Sequence, residues 1–120
     1  LNRGLPLLVL AAACAHAPRG TGGDLVGEGL ASYYGEALSG RLTANGERFD
    51  PRAFTAAHRS LAFGSCLHIE NAENGRSVRV RVNDRGPFVK GRVVDVSEAA
   101  ARALDFVRQG VARVRLLRCA

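Results

Sequence analysis

Two alternating runs dominate the second half of the chain. Residues 77–82 (Ser-Val-Arg-Val-Arg-Val) and 111–116 (Val-Ala-Arg-Val-Arg-Leu) place apolar side chains at every second position with arginines between them. A period of two is that of a strand buried on one face. Val78, Val80, Val82, Val114 and Leu116 are therefore expected to face a core, and Arg79, Arg81, Arg113 and Arg115 to face away from it. Residues 67–71 alternate in the same way, and Asn74-Gly75 separates them from 77–82. That dipeptide readily adopts the positive φ of a tight turn, so 67–82 reads as a hairpin. Residues 29–34 and 92–96 read as further strands. Residues 98–105 are rich in alanine and read as a helix, with Ser97 as N-cap and Glu98 complementing the dipole of the first turn. The pattern predicts one mostly-β domain, a closed barrel with one or two short helices.

The chain of 120 residues allows one small domain with appendages, and 47% hydrophobic with 23% charged residues is a globular composition. Fourteen glycines point to tight turns and close backbone packing. The net charge of +6 favours an acidic partner such as an acidic polysaccharide or an anionic lipid surface. Nucleic acid is disfavoured, because the arginines are scattered along the chain with no dense basic run. The three histidines and three cysteines lack the spacing of a metal site, and no phosphate-binding glycine loop is present. Neither a metal nor a cofactor is expected.

The first residues read as an address. Arg3 precedes an apolar stretch from Leu5 to Ala13, which is shorter than the roughly 20 residues a spanning helix needs. Residues 1–13 are therefore expected to be a signal peptide. Ala11, Ala12 and Ala13 lead directly into Cys14, which resembles a bacterial lipobox and implies lipidation of Cys14. The alternative is an ordinary secretory signal with Cys14 incidental. Residues 14–26 contain a proline and three glycines and show no periodicity. They are expected to be a linker from a lipid anchor to a domain over 27–120. Export implies an oxidising compartment, in which Cys66 and Cys119 are expected to pair; the alternative is two free buried thiols.

Four polar clusters interrupt the strand pattern: Ser32-Tyr33-Tyr34-Gly35, Thr43-Ala-Asn45-Gly-Glu47, Thr55-Ala-Ala-His58 and Asn83-Asp84-Arg85-Gly-Pro-Phe88. Each falls at a strand end or in a loop, where a rigid scaffold displays reactive groups. With Gly40-Arg-Leu-Thr-Ala-Asn-Gly-Glu47, Asn74 to Phe88, Arg92-Val-Val-Asp-Val-Ser97 and Gln109 to Val114, they make the chain resemble the rare lipoprotein A family over roughly residues 27–118. The resemblance implies a six-stranded double-psi β-barrel and an endolytic peptidoglycan transglycosylase. Such an enzyme cuts between N-acetylmuramic acid and N-acetylglucosamine without water and leaves a 1,6-anhydro end. Some relatives prefer strands stripped of their stem peptides.

The family's acidic residues fall on Glu47 and Asp84 and its histidine on His58. Cleavage through an oxocarbenium-like transition state needs an acid for the leaving oxygen, and the same group can then deprotonate the C6 hydroxyl. Asp84 is assigned that role. Glu47 is expected to stabilise positive charge or position the sugar, and His58 to orient a carboxylate. Tyr33 and Tyr34 are expected to stack on sugar faces, and Asn45 to bond N-acetyl groups. Arg85 either meets the lactyl carboxylate of muramic acid or lowers the pKa of Asp84. Asp95 is read as structural, and His68 is given no role. A monomer on the envelope, held by its anchor and bound to glycan strands, is the expected state. The rival reading is a non-catalytic glycan-binding or expansin-like wall-loosening module on the same barrel. Both readings expect a groove flanked by Tyr34, Glu47 and Asp84.

Overall fold

The computed structural model describes residues 22–120. The expected signal peptide, Cys14 and the linker as far as residue 21 lie outside the described residues. Six strands run in chain order: β1 (Gly22–Tyr34), β2 (Thr55–Ala57), β3 (Cys66–Asn71), β4 (Ser77–Asp84), β5 (Arg92–Ser97) and β6 (Val111–Cys119). One helix, α1 (Glu98–Leu104), and a 3-10 turn at Glu36–Leu38 accompany them. The strands close in the order β1-β5-β2-β4-β3-β6, so no edge is left open. The pairs β1–β5 and β2–β4 are parallel, and the other four are antiparallel. This is the mostly-β barrel with a short helix that the alternation predicts.

The alternating runs bury the side chains they promise. Leu67, Ile69, Val80, Val82, Val94, Val96, Val114 and Leu116 are all buried, and Phe106 and Leu104 join them. Each such side chain contributes about 1.5–3 kcal/mol by leaving water. Helix α1 presses Ala100, Ala101 and Leu104 onto β1, β4 and β5. The Ser97 hydroxyl accepts from the Ala100 N–H at its start, and Asp105 ends it in the left-handed region at φ 60°.

Two boundaries differ from the sequence reading. Strand β1 begins at Gly22, so residues 22–26 of the expected linker are paired with β6, Gly22 opposite Cys119 and Leu25 opposite Leu117. Glycine-rich sequence without periodicity reads as a tether, yet Gly23 is needed here: a Cβ on it would sit 2.9 Å from the Arg118 carbonyl oxygen. Strand β2 was not expected at all. Thr55, Ala56 and Ala57 are buried on both faces between β4 and β5, and three such residues show no alternation.

Cys66 and Cys119, 53 positions apart in sequence, are joined by a disulfide with Cα atoms 5.6 Å apart. Closing a loop of that length stabilises the fold by about 4 kcal/mol on the chain-entropy account. It ties the start of β3 to the end of β6.

Both parallel pairs carry a one-residue bulge. In β1–β5, Leu30 faces Arg92 and Ala31 faces Val94, which leaves Val93 as the extra residue. In β2–β4, Ala56 faces Val82 and Ala57 faces Asp84, which leaves Asn83 as the extra residue. A bulge breaks the alternation and re-aims the side chains that follow it. Gly29 makes room for the first one, since a Cβ there would lie 2.7 Å from Cγ1 of Val93.

Candidate functional site

A cleft of about 300 Å³ opens where β1, β4 and β5 meet the segment 38–49. Tyr33, Tyr34, Arg41, Leu42, Phe49, Asp84, Arg85, Arg92 and Asp95 are among its lining residues. Asp84 reaches it from the end of β4, directly after the bulge. Its Oδ1 accepts from the backbone N–H groups of Ala44 and Arg85, each at 2.9 Å. Among the described residues its Oδ2 accepts only from the Tyr34 hydroxyl, at 3.3 Å. One oxygen is thus held by two fixed donors, and the other is left at the cleft with a single long contact. Burial, then the charges of Asp84 and Asp95, push the Tyr34 phenol well above its ordinary pKa of 10.0. Tyr34 is therefore a neutral hydroxyl at any physiological pH. Its ring rests on Phe49 with centroids 4.6 Å apart.

Ala44 can reach Asp84 because of the turn that carries it. The Asn45 side-chain oxygen accepts from the Thr43 hydroxyl and from the Glu47 N–H, and Gly46 supplies φ 93°. The Asn45 N–H donates to the carbonyl of Asn83 at 3.2 Å, which docks the turn on β4. Asn45 therefore organises this loop, and its carbonyl is not spare for an N-acetyl group.

Glu47 does not line the cleft with Asp84. Its Oε2 is paired with Arg81 at 2.7 Å, and its Oε1 accepts from the Asn83 amide at 3.0 Å. The Arg81 bond, then the Asn83 bond, hold the Glu47 carboxyl below its ordinary pKa. Glu47 is not brought to the cleft that Asp84 lines, because Arg81 and the Asn83 amide hold its carboxylate. Glu47 is linked to Asp84 only through this turn, whose Asn45 oxygen accepts from the Glu47 N–H and whose Ala44 N–H donates to Asp84.

His58 is also displaced from its expected part. Its Nδ1 accepts from the N–H groups of Ser60 and Leu61, both at 3.1 Å, and it makes no hydrogen bond to a carboxylate among the described residues. Burial, then the charges of Arg59 and Arg85, lower its pKa. The ring braces the loop after β2, and the His58 N–H donates to the Asp84 carbonyl at 3.1 Å. That loop also holds Arg85, whose Nη1 donates to the carbonyls of Leu61 at 2.8 Å and His58 at 3.3 Å. The guanidinium lies 3.9 Å over the Phe63 ring. Arg85 lines the cleft but is tethered, and it forms no ion pair with Asp84. Tyr33 lines the cleft as well. Its ring packs edge-on against Phe106, and its hydroxyl donates to the Val107 carbonyl at 3.2 Å, so its faces are partly spoken for.

Asp95, read from the sequence as structural, belongs to this site together with Arg92 and Ser32. Asp95 lines the cleft with its side chain 18% exposed and is paired with Arg92 at 2.8 Å. The Ser32 hydroxyl donates to Asp95 Oδ1 and accepts from Arg92 Nη2. The available signal was a carboxylate inside the apolar run Val93-Val-Asp-Val96, since a charge in such a strand must find partners.

A family model described as lytic transglycolase matches residues 26–116. The chain belongs to the RlpA-like double-psi β-barrel family. A protein of Nostoc sp., named probable endolytic peptidoglycan transglycosylase RlpA, is 57% identical over 91 residues, 74% of this chain and 24% of the relative. The endolytic peptidoglycan transglycosylase RlpA of Neisseria meningitidis is 48% identical over 101 residues, 84% of this chain and 42% of the relative. The chain thus spans between 24% and 42% of the length of these two relatives. Among solved structures, an apo expansin of Clavibacter michiganensis superposes with a TM-score of 0.59 at 25% identity, covering 78% of this chain and 50% of that one. An expansin from the same organism in complex with cellohexaose gives 0.61 at 21% identity, again over 78% of this chain and 50% of the other, which speaks for the fold alone.

Proposed function

We propose that this domain cuts the glycan strands of peptidoglycan by a lytic route, with Asp84 first as acid and then as base. The observation that carries the reading is the unequal treatment of the two Asp84 oxygens. Oδ1 is fixed by two backbone donors, and Oδ2 meets the cleft beside a neutral phenol. Oδ2 is the atom that gives its proton to the leaving O4 as the C1–O4 bond breaks. It then takes the proton of the C6 hydroxyl as that oxygen closes on C1, so no water enters the balance. Membership of the family and the names of the relatives support peptidoglycan as substrate. The test is incubation with purified glycan strands, with mass spectrometry for 1,6-anhydro ends. Wild-type protein is expected to produce them and the Asp84→Asn variant is not. Strand binding without any such product from wild-type protein would instead support the wall-loosening module.

The address is part of the same proposal. Cys14 is lipidated, residues 1–13 are removed, and the barrel works as a monomer on the cell envelope at the end of a tether. Replacing Cys14 by Ser should move the protein from the membrane fraction to the soluble one. Retention of the variant in the membrane fraction would remove the anchor from the account.

A further inference from the structure

The cleft holds a second acid, and it is not the one the motifs suggested. Asp84 and Asp95 come from the two strands that carry the extra residue of a bulge, β4 and β5. Asp84 directly follows Asn83, and Asp95 follows Val93 by two positions. Both side chains line one cleft, and both charges act on the Tyr34 hydroxyl that lies there. The barrel uses the same device twice to bring a carboxylate to the same opening.

Asp95 is prepared differently from Asp84. Among the described residues its side-chain hydrogen bonds fall on Oδ1, from the Ser32 hydroxyl and from Arg92 Nη2. Its Oδ2 accepts no hydrogen bond from the described residues and is not among the buried unpartnered atoms. Glu47 offers no such atom, since each of its oxygens has a partner. The Arg92 guanidinium donates to Oδ1 at 2.8 Å and so fixes the carboxylate in place.

We propose that Asp95 is the second catalytic carboxylate of the cleft, facing the anomeric carbon, with Ser32 and Arg92 as its positioning residues. This rests on the lytic reading above. When the C1–O4 bond breaks, its electron pair leaves with O4, which takes the Asp84 proton. The positive charge left on C1 and the ring oxygen then faces the Asp95 anion. The C6 oxygen bonds to C1, and its proton returns to Asp84. Asp95 neither gives nor receives a proton, and its contribution is a fixed charge where charge develops.

The test compares Asp95→Asn, Ser32→Ala and Ser32→Thr with wild type on the same purified strands, following 1,6-anhydro ends, KM and thermal midpoint. Asp95→Asn is expected to lower kcat by about 10²-fold or more while KM moves only about threefold. Ser32→Ala is expected to lower kcat by roughly tenfold, with Ser32→Thr restoring most of it because the hydroxyl returns. A merely structural ion pair predicts something else: a lower thermal midpoint, with unchanged kcat per folded molecule. That result overturns the proposal, as does an Asp95→Asn variant that cuts at the wild-type rate. If Asp95→Asn does not fold, the serine pair decides, and equal kcat in Ser32→Ala and wild type overturns it. An inactive Asp84→Asn beside a fully active Asp95→Asn removes this inference alone. A wild type that yields no anhydro ends removes the lytic reading and this inference with it.

Discussion

The last turn of β4 separates two regions built from similar residues. On one side Asp84 and Asp95 share a cleft with Tyr34, and each keeps one carboxylate oxygen free of tight protein contacts. On the other side Glu47 accepts from both Arg81 and the Asn83 amide, and Cys66 pairs with Arg81 in the strand register close to its disulfide. The difference lies in saturation rather than in charge. A carboxylate with each oxygen bonded to a neighbouring side chain holds a loop in place. A carboxylate whose second oxygen is exposed to a cavity is available to a substrate. On the proposed mechanism chemistry falls to one side and rigidity to the other, and single substitutions can separate the two.

The largest expected effect falls on the cleft side. Asp84→Asn keeps the volume and both backbone contacts to Oδ1, and it should lower cleavage by about 10² to 10⁴-fold, the range for losing a general acid–base. Its thermal midpoint should stay close to that of wild type, because no core packing changes. A midpoint that falls sharply together with activity would erase the distinction between the two sides. The opposite outcome is expected from the disulfide. Converting Cys66 and Cys119 to serine should cost about 4 kcal/mol of stability by denaturant titration. At a temperature where the variant is still folded, kcat should match wild type.

Glu47 joins the two regions and gives the next effect. Glu47→Ala should lower kcat by roughly tenfold, because the turn that delivers the Ala44 N–H to Asp84 loses its hold on Asn83 and Arg81. Glu47→Gln keeps an acceptor for Asn83 and should fall between Ala and wild type. The ion pair is solvent-exposed, with side chains 46% and 41% accessible, so little stability should be lost in either variant. Equal kcat in Glu47→Ala and wild type would show that the turn stands without it.

The alternating strands, the Asn74-Gly75 hairpin and the capped helix were legible in the sequence because each rests on a local rule. Period two, a positive-φ turn and a hydroxyl N-cap need no knowledge of distant residues. Strand β2 was not legible, because its three buried residues have no period, and the start of β1 was hidden by its glycines. The site was half legible. Motif resemblance marked Asp84, and the structure puts it in the cleft. The same motifs marked Glu47 and His58, whose placement depends on which face of β4 and which loop carbonyls they meet. Asp95 looked structural because alternation within 92–96 carries no sign of a bulge. Only the pairing of Ala31 with Val94, two residues after Arg92 pairs with Leu30, shows that the strand has been re-aimed.

The smallest effect concerns acid, and it weighs the two sides against each other through their histidines. His68 lies on β3, on the stapled side. It is 3% exposed with Nδ1 buried and unpartnered, and Gly22 lies against its ring. Burial, then the charge of Arg79, lowers its pKa, with Glu70 opposing. His58, beside the cleft, is shifted in the same direction but is less buried. A histidine with a lowered folded pKa takes up protons in the unfolded chain first, so the unfolded state gains as pH falls. Stability should therefore be complete above the ordinary histidine value of 6.5. It should decline as pH drops from there through the lowered folded value, and level off below it. His68→Leu should remove most of that slope in thermal midpoints taken between neutral pH and pH about 5, and His58→Gln should remove less. If the two substitutions flatten the curve equally, burial does not rank them, and the stapled side is no more closed to solvent than the loop beside the cleft.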